Sequence, residues 1–257
     1  MRKFLFVLIG ALLLAMPLSA FDMSNMTDAE RQQFRSEIRD YLLENPDVII
    51  EAIDILRARE QEQAAKDQEA DRANDAQLVS QYRDALYNDG YSYVGGNPDG
   101  DLTIVEFLDY RCTYCRHARP ELADIIKKDG NIRWIVKEYP ILGPESLNSS
   151  RVAIATLRTQ GPEAYLRMHN VLMQFDGPIN KKTIVRLSKS ANVDADKILA
   201  DYDDKAIDDQ LASVSELGRK MKVSGTPTFA IGELLIRGYL PAPRFKEAIA
   251  HSRSLSN

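Results

Sequence analysis

Residues 102–122 read LTIVEFLDYRCTYCRHARPEL, and the way that stretch folds decides the architecture around it. Leu102 to Leu108 is a strand-like run. Asp109-Tyr110-Arg111 then carries the chain into Cys112-Thr113-Tyr114-Cys115, and helical text continues to Lys128. Ile132 to Lys137 is the next strand, so the pattern is β, α, β with a crossover long enough for parallel pairing. Residues 145–220 read as helices in several pieces, broken at Gly161-Pro162, Gly177-Pro178 and Asn192. Strand signals return at Thr228–Ile231 and Leu234–Arg237 across a two-residue Gly-Glu turn, and Pro241 opens a final helix. The spacing predicts an α/β fold in which a helical block, about 145–220, is inserted between βαβ and ββα halves.

Upstream the text changes character. Arg2 and Lys3 precede an apolar run from Phe4 to Ala15, and Met16-Pro17-Leu18-Ser19-Ala20 gives a helix-breaking, small-residue exit. Residues 1–20 therefore read as a secretory signal peptide rather than a membrane anchor, because the run is shorter than the ~20 residues a bilayer core requires. Thr27 with Glu30 forms a capping-box pattern, and Phe34, Ile38, Tyr41 and Leu42 follow at helical spacing. After Asn45-Pro46 a second stripe runs through Val48, Ile49, Ala52, Ile53 and Leu56. From Arg57 to Gln77 there is no Val, Ile, Leu, Met or aromatic residue, and also no Gly or Pro. That composition predicts a solvated helix of roughly 30 Å. It leaves the apolar stripe of 34–56 without a core of its own, and self-association is the simplest remedy. The expected organisation is a signal peptide (1–20), a helical oligomerisation segment (21–58), a helical linker (59–95) and an α/β domain (96–257). Gly95-Gly96-Asn97-Pro98-Asp99-Gly100 marks the last boundary.

Composition narrows the chemistry. The chain has 257 residues, 44% hydrophobic and 28% charged, with 11 Pro and 13 Gly, which excludes a disordered or low-complexity protein. A net charge of −5 argues against nucleic acid as a partner. The two Cys are too few for a disulfide-stapled scaffold or a four-Cys zinc site. His117, His169 and His251 form no HxxxH pair to complete a zinc site, and a structural disulfide closing so short a loop gains little. Redox chemistry at Cys112 and Cys115 is the remaining reading. Where a strand ends and a helix begins, unpaired N–H groups and the helix dipole favour a thiolate at Cys112. Arg111, Arg116, His117 and Arg119 add positive potential. Cys115, one turn deeper, is placed to attack a mixed disulfide at Cys112 and release the client. Pro120 lies within the same helix and implies a bend. Ser224-Gly225-Thr226-Pro227-Thr228 precedes a strand in a way compatible with a cis Thr226-Pro227 bond, which would leave backbone groups beside Cys112 to hold an extended client.

The stretches EFLDYRCTYCRHARPEL (106–122), WIVKEYPILGP (134–144) and VSGTPTFAIG (223–232), with the helical insert between the last two, resemble the thioredoxin-fold thiol:disulfide oxidoreductases of the DsbA superfamily. The similarity is strongest to the periplasmic branch of ScsC-like and Com1-like proteins, whose oligomerisation region RDYLLENPDVIIEAIDIL (39–56) is similar to. The resemblance implies a thioredoxin fold, Cys112 as attacking and Cys115 as resolving cysteine, and Thr226-Pro227 as a cis-proline loop. It also suggests roles for Glu106 and Lys137, which interrupt apolar strand runs. Buried, they would neutralise each other under the active site and pass a proton to or from Cys115; the plainer alternative is that they snorkel to solvent at a strand end.

Several expectations follow from that resemblance. Thr-Tyr between the cysteines, in place of the Pro-His of strongly oxidising members, implies a weaker oxidant. Stalked relatives form trimers that shuffle wrong disulfides. The expectation is thus an exported, periplasmic enzyme, isomerase rather than oxidase, homo-oligomeric (a trimer) through residues 28–58. Its partners would be unfolded or misfolded cysteine-containing clients and a redox protein that resets the pair, with no cofactor, no resident metal, no nucleic acid and no membrane span after cleavage. The competing readings are a periplasmic copper-binding protein, using the two thiolates with Met23 and Met26, and a scaffold in which the stalk matters more than the thiols.

Overall fold

A computed structural model describes residues 25–255. Residues 1–20, read above as a signal peptide, and Met23 lie outside the described residues.

The chain divides into two compact units after Ala64. In the first, helix α1 (Asp28–Glu44) starts at the expected capping box: the Glu30 N–H donates to Thr27 Oγ1 at 3.4 Å, and the Thr27 N–H donates to Glu30 Oε2 at 2.8 Å. Asn45-Pro46 ends α1, and α2 (Asp47–Gln81) begins immediately. No residue of α1 is buried. Phe34, Ile38, Tyr41, Val48, Ile49, Ile53 and Leu56 are all exposed, as are Leu43, Ile50 and Ile55.

In the second unit, α2 stays exposed up to Ala73 and then turns inward. Asp75 accepts both ends of the Arg237 guanidinium at 2.8 Å, and Val79 is buried. Short helix α3 (Arg83–Tyr87) adds Leu86, with no exposure at all, to the same core. The strand β1 (Tyr93–Gly96) follows, and it corrects the expected boundary at 95/96. β1 pairs antiparallel with β3 (Ile132–Glu138), so residues assigned to a linker are sheet and core. The glycines that read as a loop reflect close packing: a Cβ on Gly96, which sits at φ 68°, would come within 2.3 Å of the Ile132 carbonyl oxygen.

The remainder follows the expected order. β2 (Leu102–Leu108) pairs parallel with β3 across helix α4 (Thr113–Asp129). The helical insert comprises α5 (Pro144–Met173), α6 (Lys181–Ala191), α7 (Ala195–Asp201) and α8 (Lys205–Lys220). α5 is broken at Gly161 (φ 81°) and α6 is closed by left-handed Asn192. The hairpin β4 (Thr228–Ile231) and β5 (Leu234–Arg237) and helix α9 (Ala242–Leu255) complete the unit. The strand order is β1-β3-β2-β4-β5, parallel only at β2–β3. This is a thioredoxin fold with a helical insertion.

Side chains alternate across the sheet. Leu102, Ile104, Leu108, Trp134 and Val136 pack with α4, α5 and α9 on one face. Val105, Phe107 and Ile135 pack with α3, α8 and the end of α2 on the other.

Candidate active site

Cys112 is the N-cap of α4, in extended conformation, and its Sγ accepts the Cys115 N–H at 3.3 Å. The preceding loop is held from below: the Cys112 N–H donates to the Asp109 carbonyl, and fully buried Asp109 accepts the N–H groups of Arg111, Ile141 and Leu142 at 2.7 to 2.9 Å. Cys112 is 6% exposed and Cys115 is 0% exposed, so only the first sulfur has a surface that a client sulfur can approach. Hydrogen bonding from the Cys115 thiol leads the causes that hold the Cys112 pKa down to about 6; contact with Thr226 and the N–H groups of Cys115 and Tyr114 add to it, while burial opposes it. At pH 7 about nine-tenths of Cys112 is then thiolate. Burial acts the other way at Cys115, whose pKa is pushed far up, with the Cys112 hydrogen bond and the charge of Glu106 adding to the rise. The two sulfurs are thus pushed in opposite directions, Cys112 toward thiolate and Cys115 toward thiol.

The expected arginine cluster does not produce this. Arg111 donates to Asp176 and to the Gly177 carbonyl. Arg116 donates to Asp176 and to the carbonyls of Phe175 and Tyr110. His117 lies edge-on to Tyr239. Arg111 and Arg116 tie the cysteine loop to the α5–α6 connection, and the thiolate is stabilised by the hydrogen-bond donors of the cap.

The Thr226–Pro227 bond is cis. Its carbonyls are not left unpaired: the Cys112 thiol donates to Thr226 O at 3.1 Å, and Gly238 N–H donates to Pro227 O at 2.8 Å. Ionisation of Cys112 removes the donor at Thr226 and frees that carbonyl.

Glu106 and Lys137 are both 0% exposed, which overturns the snorkelling alternative, and they do not meet, which overturns mutual neutralisation. The register opposes Glu106 to Val136 and Phe107 to Lys137, so the two side chains point to opposite sheet faces. Lys137 Nζ donates to Asp89 and to the Ala85 carbonyl, away from the cysteines. Glu106 faces α4, and its Oε2 accepts the Trp134 indole N–H at 3.1 Å. Its Oε1 has no hydrogen-bond partner among the described residues. Burial raises the Glu106 pKa to about 7, against the opposing pull of Arg119 and Trp134. Arg119, whose guanidinium lies 4.6 Å from the Trp134 ring centroid, is the cation on this face. Helical spacing held that signal, since Arg119 is four residues after buried Cys115. A second buried acid, Glu138, is fully satisfied by Tyr110, Tyr165 and Ser150 hydroxyls, and was also missed.

Two thiolates would suit Cu(I), but the strongly raised Cys115 pKa withholds the second, and the described residues contain no cluster of three His, Cys, Asp or Glu fit to hold a metal.

Comparison with known proteins places this geometry. The family profile described as Thioredoxin matches residues 88–251, and that described as Copper resistance protein ScsC N-terminal domain matches residues 30–63. The thiol:disulfide interchange protein DsbA of Bordetella pertussis is 24% identical over 151 residues, covering 54% of this chain and 70% of the relative. A thioredoxin-like oxidoreductase of Silicibacter pomeroyi superposes with a TM-score of 0.62 at 34% identity, covering 67% of this chain and 98% of that one. A linker-deletion mutant of Proteus mirabilis ScsC superposes with a TM-score of 0.65 at 25% identity, covering 91% and 99%. The chain also matches the Na(+)/H(+) antiporter NhaA 1 of Salinispora arenicola at 24% identity, but spans only 21% of that protein's length.

Proposed function

Because the chain belongs to the thioredoxin family over residues 88–251, and is similar to the ScsC branch of DsbA-like proteins, we propose that it exchanges disulfides with client proteins through Cys112 and Cys115. The observation that carries this reading is the cap of α4, where Cys112 Sγ accepts the Cys115 N–H beside the cis Thr226–Pro227 bond. The Cys112 thiolate attacks a client disulfide; one client sulfur leaves as thiolate and the other stays bonded to Cys112. Cys115 then gives its proton to Glu106 and attacks Cys112, forming the Cys112–Cys115 disulfide and expelling the second client sulfur. When the client's own thiol attacks instead, the result is isomerisation and the pair ends reduced. The Thr226 carbonyl, freed on ionisation, takes an N–H of an extended client strand. Lys137 acts as a structural partner of Asp89.

Isomerisation is favoured over oxidation because the motif holds Thr113-Tyr114, with no imidazole, and because residues 28–58 carry an exposed apolar series fit for assembly of several active sites. Export to the periplasm fits the segment 1–20 and the oxidising chemistry, with a separate redox protein resetting the pair. Incubation with scrambled ribonuclease without added oxidant tests both levels. Reactivation by the wild type and none by Cys112→Ser is expected. Reactivation retained in Cys112→Ser would overturn the mechanism, and a protein that oxidises reduced ribonuclease but leaves the scrambled form inactive would overturn the preference for isomerase. Sedimentation of the same sample is expected to give a trimer; a monomer would remove the role assigned to 28–58.

A further inference from the structure

The sheet face beneath Cys112 carries an arrangement that neither cysteine explains. Glu106 is fully buried and bonded through Oε2 to Trp134 Nε1, while Oε1 goes unpartnered among the described residues. Over the face of the same indole lies the Arg119 guanidinium, whose buried Nε is also unpartnered among the described residues. No ion pair within 4 Å joins Arg119 to Glu106 among the described residues, so the two communicate through the ring and through space. A cation on an indole face draws electron density from the ring and makes its N–H a better donor. Two half-satisfied charges around one ring are costly in an ordinary core, which normally pairs them as it does Lys137 with Asp89.

We propose that Arg119 is a positioning residue of the exchange reaction: stacked on Trp134, it holds the indole N–H on Glu106 and keeps that acid in the form able to take the proton of Cys115. This rests on the reading of Cys112 and Cys115 given above and adds to it the residue that sets the acid. The groups facing Glu106 are Cys112, Cys115 and Arg119 from α4, Trp134 from β3, Tyr110 from the cysteine loop, and Tyr165 and His169 beyond them from α5; β4 contributes uncharged Phe229. Arg119 and Trp134 are the two among these that pull the Glu106 titration down. Tyr110 is a buried phenol and stays neutral. His169 is held neutral by burial, with Arg119 reinforcing the effect.

Trp134 is the single tryptophan of the chain, so its fluorescence reports on Glu106 directly and without an activity assay. Full-length protein carrying Cys112→Ser, which removes the Cys112 titration, is followed from pH 4 to 10; Glu138, the second buried acid raised by burial to about 7, is separated by its own variant. A transition near pH 7 is expected, abolished by Glu106→Gln and retained in Glu138→Gln. Added to that background, Arg119→Gln is expected to move the midpoint up by about one unit, and Arg119→Lys to move it by less than half as much. With Cys112 restored, Arg119→Gln is expected to slow release of a model mixed disulfide about fivefold at pH 7 and to recover the rate as pH rises. Arg119→Met, which keeps the bulk of the stem, serves the same comparison if the Gln variant does not fold. An unchanged midpoint in both, or an equal shift of the transition in Glu106→Gln, overturns the proposal. If Glu106→Gln slows release while the Arg119 variants leave its pH dependence unaltered, the role of Arg119 alone fails. If wild-type protein releases no mixed disulfide, the exchange reading fails, and the fluorescence midpoint still decides the electrostatic claim.

Discussion

Glu106 and Lys137 are buried on opposite faces of the central sheet, on neighbouring strands and one register step apart. On the Lys137 face the charge is fully paired. Its Nζ bonds Asp89 and the Ala85 carbonyl, Asp89 in turn accepts from Ser92, and although burial works against it the lysine holds the Asp89 carboxyl below the usual range. On the Glu106 face one oxygen has a single indole donor and the other has none among the described residues. A buried acid facing a cation partner, as Asp89 faces Lys137, is held ionised, whereas Glu106, with no ion pair among the described residues, is raised by burial to about 7 and remains able to exchange a proton.

Three substitutions sharpen that contrast. Lys137→Met strands the Asp89 carboxylate and is expected to cost about 3–5 kcal/mol in denaturant unfolding, while leaving the Cys112 titration and the pH profile of exchange in place. A change in that profile would make Lys137 part of the chemistry after all. Glu106→Gln should do the reverse. The folded-state pKa of Glu106 is raised, so the wild type forfeits stability as pH rises toward and through about 7, whereas the Gln variant does not. The variant should be more stable than wild type by on the order of 2 kcal/mol at pH 8 and equal to it at pH 4, while resolving mixed disulfides 10- to 100-fold more slowly. Equal pH-stability curves would mean that Glu106 is not perturbed. The smallest effect is expected at the Asp75–Arg237 pair, whose carboxylate is buried and whose guanidinium is partly exposed: Asp75→Asn should cost about 1 kcal/mol and increase hydrogen exchange in the last two turns of α2, without touching exchange activity.

The parts of this molecule legible in its sequence are those written in local signals. The capping box at Thr27, the breaks at Gly161 and Asn192, the Gly-Glu hairpin and the cysteine cap all depend on residues within four positions of one another. β1 was hidden because a four-residue strand with two glycines reads as a loop until β3 lies beside it. The partner of Lys137 was hidden because Asp89 lies 48 residues earlier, in text that reads as linker. The mismatch of Glu106 and Lys137 was within reach: once β2 and β3 are paired in parallel, strand parity alone separates them. Arg119 reads in the sequence only as positive charge near Cys112, because the rotation of α4 that turns it toward Trp134 depends on the packing of Ala118, Leu122 and Ile125.

The account depends most on the cap of α4 holding Cys112 as an anion. Thiolate absorbance of the reduced protein, followed from pH 4 to 10 with Cys115→Ala as a control for the bond it contributes, measures this directly. A wild-type midpoint near pH 6, rising when the Cys115 thiol is removed, is the predicted result. A midpoint near 8.5, the value of a free thiol, would contradict it.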